Sequence, residues 1–359
     1  MSNGAELAVD VVVDNYEYGR YLPTAIESAL AQTHPRVEVI VVDDGSRDGS
    51  REVLEGYRDR VTVVLKENGG QASALNAGFE RCRGDVVIFL DADDTLHPRA
   101  AAAVAAAFAA DPDLVKAQFR TEVIDREGRE IGRTKPAAHL PMPSGDVRAA
   151  ELAYPFDLVW MATSANAFRT AALQRIMPIP EGSFRACADY YLVHLSALLG
   201  RIASLPEVLG SYRLHGDNNF EPQESEIDLK HIRQAIGYSD TTSSSLLDLA
   251  RQLDLPYPER ILSLADLANR MVSLRLDPGR HPLSSDSRGG LLADAVRAAR
   301  RRDNVSFAMK AMFVGWFAAM AVAPRRLARR LAVLFLFPDQ RQGLNRLLGR
   351  FQRGGETAA

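Results

Sequence analysis

The chain has 359 residues, 43 Lys and Arg against 46 Asp and Glu, a formal net charge of −3, and two cysteines. That length holds one large domain or two ordinary ones, and the balanced charge offers no bulk attraction to nucleic acid, which is excluded as a partner class. Cys82 and Cys187 stand far apart in helix-like stretches, which is neither a disulfide framework nor a metal spacing. They are expected as buried free thiols in a reducing cytosol.

Met1 to Glu6 is polar, without a basic region leading into an apolar one, so no secretory leader is read there. Val9 to Val13 is almost wholly apolar and reads as a first strand, ending in Asp14-Asn15-Tyr16. Arg20 to Gln32 puts Leu22, Ile26, Ala29 and Leu30 on one helical face, and Pro23 suits the first turn. Val37 to Val42 is a second buried strand, ending in Asp43-Asp44-Gly45-Ser46, with a helix expected around Ser50 to Tyr57. Val61 to Leu65 is a third strand, followed by Lys66, Glu67-Asn68-Gly69-Gly70 and a helix from Gln71 to about Arg81. The fourth strand lies within Asp85 to Leu90, and an Ala-rich helix fills Arg99 to Ala110. Strands alternating with helices predict an α/β fold, a mostly parallel sheet with helices on both faces. Ligands of such sheets bind beyond the strands' carboxyl ends. Asp14, Asp44, Asn68 and Asp91 all fall on that edge.

The fourth strand runs into Asp91-Ala92-Asp93-Asp94. If the chain stays extended past Leu90, Asp91 and Asp93 point to one side. Two carboxylates placed so want a cation, and the hard ion suited to carboxylate and phosphate oxygens is Mg²⁺ or Mn²⁺. The other reading of the same acids is a turn, with Asp94 or Thr95 capping the helix that begins near Pro98.

Beyond Asp111, Leu114 to Asp125 and Glu130 to Arg133 read as a hairpin, followed by a loop with Pro136, Pro141 and Pro143. Asp146 to Leu152 and Thr170 to Ile176 read as short helices and Ala186 to Leu199 as a longer one. Glu207 to Leu214 is a last strand leading into His215-Gly216-Asp217-Asn218-Asn219. From Glu224 the chain turns helical and more polar, so residues 1–223 are read as the α/β domain and 224–359 as a helical region. Its tail alternates the apolar run Ala311 to Ala323, the arginines Arg325, Arg326, Arg329 and Arg330, and the apolar run Leu331 to Phe337. Runs this short do not span a bilayer comfortably. They fit a helix packed on the α/β domain or one lying at an anionic lipid surface, and the arginines favour the second. The expected location is cytoplasmic, peripheral at the inner face of the membrane.

Five pieces in order resemble the family 2 glycosyltransferases, enzymes of GT-A fold that use nucleotide-activated sugars. They are Val11-Val12-Val13-Asp14-Asn15-Tyr16, Ser28-Ala29-Leu30-Ala31-Gln32-Thr33, Val41-Val42-Asp43-Asp44-Gly45-Ser46, Asn68-Gly69-Gly70 with Asn76-Ala77-Gly78, and Leu90-Asp91-Ala92-Asp93-Asp94. A weaker match reaches Tyr212-Arg213-Leu214-His215-Gly216, and nothing after about residue 224 is covered. The resemblance implies a metal-dependent inverting transfer from a UDP- or dTDP-sugar to a glycan or lipid-linked acceptor, as in cell-surface polysaccharide synthesis. It implies that Asp14, Asn15 and Tyr16 line the nucleotide pocket and that Asp44 accepts from the imide N–H of uracil or thymine. Asn68, Gly69, Asn76 and Ala92 would complete the donor site. Asp91 would sit by ribose and metal, with Asp93 a direct ligand.

The family's acceptor-activating carboxylate usually follows another acid at a helix start. Here Ala188 replaces the first acid, leaving Asp189 as the general base or, alternatively, as a cap of its helix. His215 is read as a further metal ligand or a surface histidine. Arg213 pairs with phosphate or with a surface acid. Leu75 stands where many members carry arginine, which leaves Lys66 as a source of charge for the diphosphate. Trp160 and Tyr154 line the acceptor cleft or the core. A catalytically silent relative that binds nucleotide or glycan is the competing class. A dinucleotide dehydrogenase lacks its G-x-G-x-x-G, the chain is too long for a receiver domain, and a sugar nucleotidyltransferase would want a Gly/Arg-rich loop at Asp14-Asn15-Tyr16.

Overall fold

The computed structural model describes residues 6–216, 227–302 and 305–336. The described residues form two compact units, one within Met1–Asn218 and Asp240–Ile261, the other within Asn219–Ser239 and Leu262–Ala359. The boundary expected between 223 and 224 lies outside the described residues, as do Asp217, Asn218, Asn219 and Phe337.

The first unit begins with strands β1 (Val9–Asn15), β2 (Val37–Asp43), β3 (Thr62–Leu65) and β4 (Val86–Asp91). Helices α1 (Leu22–Leu30), α2 (Ser50–Glu55) and α3 (Gln71–Phe79) connect them. A two-residue strand β5 (Thr95–Leu96) and helix α4 (Ala100–Ala110) follow. Then come the hairpin β6 (Leu114–Ile124) and β7 (Glu130–Lys135), α5 (Arg148–Ala153), β8 (Asn166–Arg169), α6 (Thr170–Leu173), α7 (Ala188–Leu199) and β9 (Arg201–Arg213).

The nine strands make one sheet in the order β3-β2-β1-β4-β8-β6-β9-β5, with β7 paired to β6. The β3-β2-β1-β4 half is parallel, β8 runs antiparallel between β4 and β6, and β6 pairs parallel with β9. The central strands β1 and β4 are buried except at Asp14 and Asp91, Val11–Val13 and Val86–Leu90 being fully inaccessible, each such side chain contributing about 1.5–3 kcal/mol on leaving water. Leu22 and Ile26 of α1 join that core. On α3, a Cβ at Gly78 would lie 2.3 Å from Val12 Cγ1, so only glycine lets α3 pack this closely on β1.

Several expectations need correcting. Neither Asp94 nor Thr95 caps α4: its N-cap is Arg99, Thr95 pairs with Ser211 in the sheet, and Asp94 accepts the Arg213 N–H at 2.9 Å. The last strand starts at Arg201 rather than Glu207, because the ladder shifts between Ser204 and Val208 around Pro206, which has no N–H to donate. Strands β5 and β8, of two and four residues, were not foreseen, since such short pieces carry no periodicity to read. Cys82 is buried and free, whereas Cys187, also free, is half-buried.

The division between units falls within helix α8 (Leu229–Gln252). In the second unit, α9 (Leu264–Leu276), α10 (Arg288–Arg301), α11 (Phe307–Val322) and α12 (Arg325–Leu336) share a core. It includes Leu267, Met271, Ala295, Phe317, Met320 and Ala332. No helix among the described residues is long and apolar enough to cross a membrane.

Candidate active site

Strand order reverses direction around β1, which has β2 on one side and β4 on the other, the place where a parallel sheet opens a crevice at its carboxyl edge. Asp14 of β1 lies opposite Asp91 of β4, Asn15 lies opposite Asp43 of β2, and Asp43 opposite Leu65 of β3. The loops that follow therefore share one rim. Past Asp91 the chain does not stay extended. The Asp94 N–H returns to the Asp91 carbonyl at 3.0 Å, so of the two readings of these acids, aligned along a strand or in a turn, the turn is the one found, and it gathers them. Asp91, Asp93 and Asp94 each offer an oxygen within 4.8 Å of the others. His215 Nε2 is 2.9 Å from Asp93 Oδ2, and its ring sits edge-on to Tyr18 and stacked on Tyr21.

Burial, then the neighbouring Asp93 and Asp189 carboxylates, push Asp91 up to about 7. Burial and Asp91 raise Asp14 well above the usual carboxyl range, and burial and Asp93 do the same for Asp94. Asp14 Oδ1 and Asp94 Oδ2 are buried without a hydrogen-bond partner. Crowded hard-oxygen donors with orphaned lone pairs and an adjoining imidazole fit Mg²⁺ or Mn²⁺. Ala92 is buried, with its N–H on the Asp14 carbonyl at 3.1 Å.

On the nucleotide side, Asn15 Nδ2 donates to Asp43 Oδ2 (3.0 Å) and Ser46 Oγ (3.2 Å), while Tyr16 is 49% exposed. Asp44 is buried and accepts from Lys66 Nζ at 2.6 Å, Gly69 N–H at 2.9 Å and Gly70 N–H at 2.7 Å. A carboxylate has about four acceptor positions, and three of them are taken here. Lys66 is thus held by Asp44 and by the Glu67 carbonyl, not extended toward a diphosphate. Asn68 is exposed and accepts from Arg185 Nη2.

Two expected donor contacts are displaced. Asn76 is buried, and its amide pairs both ways with the backbone of Ile179 at 2.9 and 2.8 Å, which makes it a clamp on the loop between α6 and α7. Arg213 is buried too. Its Nε and Nη1 donate to the carbonyls of Asp93 (2.8 Å), Asp125 (3.3 Å) and Arg126 (3.4 Å), and its guanidinium lies over Tyr21. Through the Asp93 carbonyl and its own N–H on Asp94 Oδ1 at 2.9 Å, it braces the acidic turn from behind.

The half-buried Asp189 is the second residue of α7, whose N-cap Cys187 provides no side-chain cap. Burial raises the Asp189 carboxyl, opposed by the Tyr190 N–H, then His194 and Lys116. Lys116 is fully buried and held well below its ordinary value by burial; its Nζ bonds Gln118 Oε1 at 3.1 Å and lies 4.1 Å from the Trp160 ring centre. His194 Nδ1 is 2.6 Å from Glu151 Oε1, and Trp160 packs edge-on to His194. Sequence reading overlooked Gln71, Lys116, Glu151 and His194. Lys116 and Gln118 left a signal, two polar residues at strand spacing in an otherwise apolar run.

The family model described as glycosyl transferase family 2 matches residues 10–176. An uncharacterised glycosyltransferase of Nostoc sp. (strain PCC 7120) is 36% identical over 217 residues, 59% of this chain and 66% of that protein. An undecaprenyl-phosphate 4-deoxy-4-formamido-L-arabinose transferase of Pseudomonas savastanoi pv. phaseolicola is 44% identical over 93 residues, covering 24% of this chain and 28% of that one. The chain thus spans less than two thirds of these relatives' own length. The crystal structure of S. aureus TarS 1-349 has a similar fold, with a TM-score of 0.53 at 17% identity over 94% of this chain and 92% of that one. Motif order, the rim of acids at the β1/β4 switch and these matches together place residues 10–176 in glycosyltransferase family 2.

Proposed function

We propose that the protein is a divalent-metal-dependent, inverting glycosyltransferase that moves a sugar from a nucleoside-diphosphate donor, UDP- or dTDP-linked, to a glycan or lipid-linked acceptor in cell-surface polysaccharide synthesis. The observation that carries this reading is the convergence of Asp14, Asp91, Asp93 and His215 at one sheet edge, within electrostatic reach of Asp189. The arabinose transferase relative, whose name includes undecaprenyl-phosphate, supports a lipid-linked acceptor. A putative teichuronic acid biosynthesis glycosyltransferase of Bacillus subtilis (strain 168), 43% identical over 90 residues, supports a surface polysaccharide. TarS has been solved with UDP and with UDP-GlcNAc, so uridine donors are the first to test.

In this reading Asp91, Asp93 and His215 hold the ion, which when bound neutralises charge developing on the departing nucleoside diphosphate. Asp44 offers its remaining lone pair to the base's imide N–H. Asp189 takes the proton of the acceptor hydroxyl as that oxygen attacks the anomeric carbon, and the bond to the diphosphate breaks on the opposite side, inverting the centre. Ala188, in place of a first acid, favours a second reading, a silent nucleotide- or glycan-binding relative. We assign catalysis to residues 1–223. Residues 224–359 are assigned to peripheral contact with the cytoplasmic membrane face, supported by a stretch at 305–336 that carries Lys310 and four arginines and no acid.

A thermal-shift panel of UDP-, TDP-, GDP- and CDP-sugars with and without Mn²⁺ tests the donor, because a ligand specific to the folded form raises its apparent stability. No shift with any of them counts against donor binding and leaves a silent relative that binds glycan rather than nucleotide. Asp93→Asn is expected to abolish transfer and the metal's enhancement of donor binding. Asp189→Asn is expected to leave donor binding intact and lower transfer about 10²–10⁴-fold; full turnover in that variant removes the base assignment.

A further inference from the structure

One side chain joins the acidic rim to the helix that carries Asp189. Gln71 opens α3, and its own N–H donates to the Arg185 carbonyl at 2.7 Å. Its Nε2 donates to Asp91 Oδ1 at 2.9 Å and to Thr163 Oγ1 at 3.3 Å. Its Oε1 accepts the N–H of Ala188 at 3.0 Å. Ala188 is the first residue of α7, and its N–H is one of the four that an α-helix cannot satisfy internally. Cys187, in the left-handed region at φ 59°, gives that end no side-chain cap. The cap comes instead from Gln71, 117 residues away in the chain.

We propose that Gln71 is a positioning residue, a strut that fixes the Asp91 carboxylate and the start of α7 in one rigid unit. This rests on Asp189 being the base. The chemistry needs this residue type. An amide offers donors on one atom and an acceptor on the other, so it bonds a carboxylate and an N–H at once. Glutamate in its place would set a second carboxylate against Asp91, and methionine would fill the space with neither group. In an in-line displacement, base and departing group must keep their separation, and an error of about 1 Å costs on the order of 10²-fold in rate.

The test uses the full chain with Gln71→Met. Transfer kcat is expected to fall about 10- to 100-fold, while Mn²⁺-dependent UDP binding by calorimetry stays within about threefold of the parent. Hydrogen exchange in peptides covering residues 186–192 should accelerate, a readout independent of turnover. Adding Gln71→Met to Asp189→Asn should cost less than about a further threefold, because residues acting through one another are not additive. An unchanged kcat in Gln71→Met beside an inactive Asp189→Asn overturns the strut. So does a fall in kcat matched by equal loss of UDP binding, or a fully additive double variant. Full activity in Asp189→Asn alone places the failure in the base assignment instead.

Discussion

Asp91 stands with Asp93 and Asp94 on one strand end and loop, and its carboxyl is pushed up to about 7 by burial and by Asp93 and Asp189. A carboxyl whose folded pKa exceeds its unfolded value of about 3.9 keeps a proton that the unfolded chain has released. Its contribution to stability is therefore present at low pH and lost as pH rises through about 7. In chelator, the melting temperature should fall between pH 5 and pH 8 less steeply for Asp91→Asn than for the parent. Mn²⁺ should raise the parent's melting temperature more at pH 8 than at pH 5, since the ion competes with protons for the same oxygens. Calorimetric melts at both pH values check this, and an identical pH slope in the two proteins refutes it.

At the level of elements, the loop from β3 to α3 works by close approach. Gly70 has φ 90°, and a Cβ there would lie 2.4 Å from the Arg185 carbonyl oxygen. Gly70→Ala combines left-handed strain of order 1–3 kcal/mol with that clash. It should lower thermal stability and weaken UDP binding together, since the Gly70 N–H also holds Asp44; retained UDP affinity in a folded variant removes the link. The regular elements β1 to β4 and α1 to α4 were legible because apolar periodicity and turn residues mark them. The Asp91 turn was one of two readings of its acids, but its anchoring by Arg213 and His215, more than a hundred positions away, was not legible. The same holds for Asn76, which as a motif residue suggested a ligand contact and instead pairs with the Ile179 backbone.

For the whole molecule, the second unit presents exposed Phe307 and Val322 at the two ends of α11, with Leu327 and Leu334 exposed on α12. Arg325, Arg326, Arg329 and Arg330 are exposed as well. A basic, apolar surface of this kind suits anionic lipid, each arginine contributing about 1 kcal/mol near such a surface. Co-sedimentation with phosphatidylglycerol vesicles should exceed that with phosphatidylcholine vesicles and weaken with salt. Arg326→Glu with Arg330→Glu should cut it at least tenfold, and equal binding to both vesicle types ends the idea.

By itself the sequence determined the parallel core, the edge on which the chemistry gathers and the identity of its acids. Those follow from residues close together in the chain, where periodicity and side-chain type act locally. Only the tertiary structure decided that a turn converges Asp91, Asp93 and Asp94, that Arg213 braces them from behind, and that Gln71 ties Asp91 to the helix of Asp189. Contacts between residues so distant along the chain are selected by packing and hydrogen-bond satisfaction in the folded state, and no local pattern encodes them.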